Sequence, residues 1–138
     1  MPLTDSTTTT RRLVETFFRR LSERDPDAVA ELFSDDVDWY IPGNQELASW
    51  LGRRSSRKDV AEFFRLLWEN AEPITAHLDH VLVDENVAIV TGSFSSRMRR
   101  TGKTFESIFS ADFTVRDGAI VRYRLLEDSH GLVRSLTA

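Results

Sequence analysis

At Pro73 the hydrophobic pattern of this 138-residue chain changes period, and that change restricts the possible fold more than any other feature. Leu13, Val14, Phe17, Phe18 and Leu21 form one stripe of a helix running from Arg11, with Glu15, Arg19, Arg20 and Glu23 on its wet side. Val60, Phe63, Phe64 and Leu67 do the same for a helix over Ser56–Asn70, with Trp68 at its edge. Beyond Pro73 the apolar residues alternate. Ile74–Val83 and Val87–Met98 read as a hairpin around Asp84-Glu85-Asn86, and Thr104–Val115 and Ala119–Leu126 as a second around Arg116-Asp117-Gly118. Helices first and long antiparallel strands second indicate an α+β domain, with helices packed on one face of a curved sheet.

Shorter signals fill in the first half. Thr4–Thr10 is polar, β-branched and without apolar periodicity, so residues 1–10 are expected to be a disordered tail, with Thr9 or Thr10 available as an N-cap. Residues 11–138 then form a single domain. Asp25-Pro26-Asp27 restarts a helix, with Asp25 as cap, Pro26 in the first turn, and Val29, Leu32 and Phe33 on its buried edge. Val37, Trp39 and Ile41 alternate with Asp38 and Tyr40 as a strand, and Pro42-Gly43 turns the chain into a loop, Asn44–Ser55, carrying Trp50. Ser56 and Asp59 make an acidic variant of the capping box.

Composition narrows the functional classes. A chain with no cysteine has no disulfide, thiolate metal site or cysteine nucleophile, which agrees with a reducing, cytoplasmic location. No run approaches the length of a membrane span, and Met1–Thr10 lacks the apolar core of a signal peptide. A net charge of −4 argues against nucleic acid as a general partner. The basic cluster Arg97, Arg99, Arg100 and Lys103 surrounds the turn Thr101-Gly102 and reads as a solvated hairpin tip. No phosphate loop, nucleophile elbow or dinucleotide fingerprint is present, so no cofactor is expected.

Several side chains are candidates for a site. Trp39, Trp50, Phe109 and Tyr123 can line an aromatic slot for a flat hydrophobic ligand; Trp39 and Phe109 also fit ordinary core, and Trp50 fits a lid or a dimer contact. Ser107 shares a strand face with Phe105, Phe109 and Ala111 and offers a ligand-bonding hydroxyl, whereas Glu106 faces outward. Strict alternation places His77 and Asp79 on one face and His80 on the other, which argues against a metal site. His80 then falls with Leu78 and Leu82 on the concave face, as a pocket base or as a core histidine bonded to a carbonyl.

The ordered set of local sequences resembles the ketosteroid isomerase-like members of the nuclear transport factor 2-like superfamily, and especially their SnoaL-like polyketide cyclase branch. It comprises Phe17-Phe18, Leu32-Phe33-Ser34-Asp35-Asp36-Val37, Trp39-Tyr40-Ile41-Pro42-Gly43, Gly52-Arg53, Val60-Ala61-Glu62-Phe63-Phe64, Phe113–Ile120 and Glu127-Asp128. The resemblance implies a cone-shaped, curved antiparallel sheet wrapped around three N-terminal helices, a cystatin-like α+β barrel. It also implies a pocket for a small hydrophobic molecule and a homodimer formed through the sheet. The oxyanion-binding tyrosine, oxyanion-binding aspartic acid and proton-shuttling aspartate of ketosteroid isomerase fall at Phe17, Ala111 and Ile41, which can neither donate to an enolate nor move a proton. Ketosteroid isomerisation itself is therefore excluded.

The SnoaL-like pattern, with a carboxylate late in the last strand, implies Asp128 as acid or base; His80, from its place on the face read as concave, is the candidate assistant. Cofactor-free isomerisation or cyclisation of a carbonyl ligand is the chemistry such a site can run; a non-catalytic binding or assembly module is the alternative. In a regular strand Glu127 and Asp128 point to opposite faces, so one of the two faces the pocket. Asp128 equally fits a cap on the turn Ser129–Val133.

Overall fold

The computed structural model describes residues 3–138. In chain order it contains α1 (Leu3–Glu23), α2 (Pro26–Ala30), β1 (Phe33–Ile41), β2 (Gly52–Arg54), α3 (Arg57–Asn70), β3 (Ala71–Asp84), β4 (Val87–Met98), β5 (Thr104–Arg116), β6 (Ala119–Glu127) and α4 (Ser129–Leu136). No described helix is long and apolar enough to cross a membrane.

The segment expected as a tail is helical from Leu3, while Met1 and Pro2 lie outside the described residues. Thr10 sits one turn before Val14 and is fully buried, so it extends the stripe rather than capping it. Burial of Thr10 offsets the modest helix propensity of threonine at that position. Asp25 caps α2 as anticipated, accepting the Ala28 N–H at 3.2 Å. The helix ends at Ala30, however, and Phe33 opens β1 instead of closing α2. Distant partners draw it out: the Leu32 carbonyl accepts from Ile120 N–H at 2.8 Å, and the Phe33 carbonyl accepts from Arg57 Nε at 3.0 Å. At α3, Ser56 Oγ accepts the Asp59 N–H at 3.1 Å, but the returning Asp59 carboxylate reaches Ser55 N–H at 3.4 Å rather than the cap residue's own amide.

One curved, unclosed sheet of order β2-β1-β6-β5-β4-β3 carries all six strands. The long strands pair antiparallel, as does the short β2 that forms inside the expected loop, whereas β1 lies parallel to β6 with Trp39 opposite Tyr123. Helices α1 and α3 cover the inner face. Phe17 of α1 packs edge-on against Phe113 at 5.1 Å, and Phe63 of α3 meets Trp39 at 4.9 Å.

Two register shifts in β3, at Ile74 and Asp79, each insert one unpaired residue. Every such bulge reverses the alternation of the residues that follow. As a result Ala76 and Leu78 pair with the inner positions Phe94 and Gly92, and Val81 and Val83 with Val90 and Ala88.

Candidate functional site

A cavity of about 520 Å³ lies between the inner sheet face, α1, α3, the Trp50 loop and α4. Its walls are mostly apolar, including Phe17, Phe64, Trp68, Met98, Phe109 and Leu125. One cross-strand row runs Glu127, Phe109, Gly92, Leu78. Gly92 is required there by close approach: a Cβ would press on the His77 carbonyl and come within 2.8 Å of the Phe109 ring. The glycine thus lets Phe109 lie across β4 as part of the wall.

Tyr123, Leu125 and Glu127 alternate on the inner face of β6, and all three line the cavity. Burial pushes the Glu127 carboxyl up to about 7, with the nearby Asp128 charge adding to it. Near neutrality Glu127 is therefore present in both protonation states. The Tyr123 phenol is fully enclosed; burial first and the Glu127 charge second raise it well above its usual range, so it stays a neutral donor. An acid–base group and a donor thus sit in a cavity otherwise suited to apolar matter.

Asp128 points elsewhere. It is exposed and caps α4, its Oδ1 accepting the Gly131 N–H at 2.9 Å. Ser107, expected as a ligand-bonding hydroxyl, is buried and engaged twice. Its Oγ donates to the Ile108 carbonyl at 2.6 Å and accepts the Asp128 N–H at 2.9 Å. That pair of bonds fixes the corner where β6 meets α4, with Glu127 inside and Asp128 outside.

His80 also lies away from the cavity. The unpaired Asp79 turns it to the outer face, exposed and opposite Thr91, on the same side as His77. Leu78 lines the cavity while Leu82 faces outward, so the three do not share a face as strict alternation implies. His77 Nε2 lies 3.3 Å from Asp79 Oδ1, and no metal-holding cluster occurs among the described residues.

Of the aromatic candidates, Trp50, Phe109 and Tyr123 line the cavity. The Trp50 loop is shaped by Asn44, whose Oδ1 accepts the Glu46 and Leu47 N–H groups at 3.0 and 3.1 Å. Trp39 belongs to the core instead, its ring 4.4 Å from Tyr123. Its Nε1 and the Arg54 Nε are buried without a partner among the described residues, and both residues border a second cleft of about 310 Å³. Sequence reasoning left out Trp68, Phe94 and Arg24 from the lining. Helical spacing from Phe64 to Trp68 and alternation along β4 signal the first two; nothing local signals Arg24.

The fold has many solved counterparts. An NTF2-like protein from Burkholderia xenovorans LB400 superposes with a TM-score of 0.84 at 22% identity, covering 95% of this chain and 98% of that one. TerC, co-crystallised with polyporic acid, gives 0.81 at 15% identity over 94% and 99%. An LEH-like epoxide hydrolase from M. tuberculosis gives 0.73 at 21% identity over 94% and 93%. No curated protein matches the sequence significantly. The SnoaL-like domain family matches residues 14–123, a span that takes in about the second half of α1, all the elements from α2 to β5 and the first part of β6. The chain belongs to the SnoaL-like domain family, within the nuclear transport factor 2-like superfamily.

Proposed function

We propose that this protein is a cofactor-free acid/base catalyst of the isomerase or cyclase type, acting on a hydrophobic carbonyl compound with Glu127 as the proton-transfer group. The observation that carries the reading is the position of the Glu127 carboxyl, which lines a largely apolar cavity with Tyr123 and is pushed up to about 7 by burial there. The Glu127 carboxylate removes a proton from the carbon beside the carbonyl. The C–H electron pair forms the new carbon–carbon double bond and the carbonyl π pair moves to oxygen. The neutral Tyr123 hydroxyl donates to that oxygen, and Glu127 returns the proton at a second carbon, or the enolate carbon attacks an internal carbonyl. TerC, a protein of the same fold, was co-crystallised with polyporic acid, which supports a small organic ligand for this chain.

Deuterium exchange into the α-carbon of 2-tetralone, followed by NMR in heavy water, tests the proposal. The wild-type protein should accelerate exchange with a rate rising through pH 7; Glu127→Gln should abolish it and Asp128→Asn should preserve it. Acceleration no greater than buffer alone would sink the catalytic reading.

That outcome would favour a binding module. Phe17, Ile41 and Ala111 support this second reading, because they line the cavity with apolar groups where related enzymes place polar ones. A second copy of the chain is further proposed to cover the outer sheet face. Ile108 (78% exposed) and Leu126 (56%) stand there among Ser93, Thr91 and Ser110, while Arg122 and Arg124 are matched by Asp112 and Asp38.

A further inference from the structure

We infer that the cavity takes an amphipathic ligand whose anionic end, a carboxylate, is met at the mouth by the Arg24 guanidinium. The inference rests on the cavity being a ligand site, as proposed above, and adds the chemical class of what enters it. The mouth is located by exposure. Every exposed lining residue belongs either to the joint between α1 and α2, at Ser22 and Arg24, or to the β3 run Ile74, Thr75, Ala76 and Leu78. The two hydroxyls there are occupied: Ser22 Oγ donates to the Arg19 carbonyl at 2.6 Å, and Thr75 Oγ1 shares a hydrogen with Ser95 Oγ at 2.6 Å. Arg24 alone among the described lining residues carries a positive charge, and it makes no ion pair or side-chain hydrogen bond among them. Its neighbour Arg20, by contrast, reaches both the Ala28 carbonyl and Glu31.

The backbone adds a second reason. Arg24 has φ +56°, the left-handed conformation that ends a helix most easily with glycine. Glycine would suit this joint best, and the arginine found there instead sets a charge on the rim of the cavity. In a protein of net charge −4, one unpaired guanidinium at the opening gives an anionic group a local preference that the overall field opposes. An apolar body fills the cavity behind it.

Calorimetric titration with 2-naphthylacetate and its neutral amide at pH 6, where Glu127 is largely protonated, tests this. The wild-type protein should bind the acid roughly three- to tenfold more tightly than the amide. Arg24→Gly should erase that preference, keep the amide affinity, and unfold at the same or a slightly higher temperature because the left-handed joint is relieved. Arg24→Lys should retain part of the preference. Equal wild-type affinity for the two probes, or a preference that survives in Arg24→Gly, overturns the inference and leaves the cavity reading intact. Binding of neither probe overturns both.

Discussion

Glu127 couples the cavity to pH through the stability of the whole fold. Its carboxyl has an ordinary value of 4.5 and is raised by burial to about 7 in the folded chain. Between those values the folded state holds a proton that the unfolded state has released, so stability is full below pH 4.5 and falls as pH rises through 7. The loss amounts to about 3 kcal/mol above pH 8, each tenfold change in proton affinity being worth about 1.4 kcal/mol. Glu127→Gln, which stays neutral, should therefore be more stable than the wild type by up to that amount at pH 8. At pH 4 it should match the wild type. Urea denaturation at the two values measures this, and an equal difference at both would show that burial does not set the pKa.

At the scale of elements, α4 depends on a side chain that the SnoaL-like resemblance implies as acid or base and that equally fits a cap. Asp128 holds the Gly131 N–H, and the helix buries Leu132 and Leu136 against the sheet while Thr101 and Lys103 reach the carbonyls of Ser135 and Thr137 at its far end. Asp128→Ala should cost about 1 kcal/mol of stability through the lost cap, with ligand affinity kept and exchange activity retained, its pH dependence moved slightly lower because the Asp128 charge no longer raises Glu127. A variant that folds as well as the wild type but loses activity would return Asp128 to the chemistry. The bulge at Asp79 shows the same dependence in β3: one unpaired residue moves His80 from the concave side, where strict alternation puts it, to the exposed side.

For the whole molecule, the outer sheet face, with Ile108 and Leu126 exposed in the single chain, bears on assembly. If a second copy covers it, Ile108→Arg should convert a dimer to a monomer in sedimentation velocity without lowering the melting temperature of the isolated fold by more than a few degrees, because Ile108 is exposed in the single chain. A wild-type protein that sediments as a monomer at tens of micromolar would remove the dimer proposal.

The kind and order of the long elements were legible in the sequence because both depend on short-range periodicity. Stripes at 3.6 residues mark α1 and α3, alternation marks β4, β5 and β6, and turn residues separate the hairpins. Alternation also made it clear that only one of Glu127 and Asp128 can face inward. Which one does was decided by tertiary partners. Ser107, 21 residues earlier in the chain, accepts the Asp128 N–H, and α4 engages the Asp128 carboxylate. Long-range contacts likewise drew Phe33 out of α2, turned Trp39 into core beside Tyr123, and brought Arg24 to the cavity mouth opposite β3. Periodicity is a property of consecutive residues, whereas the direction of a side chain at a bulge, a cap or a helix joint depends on groups tens of residues away, and those meet only in the folded chain.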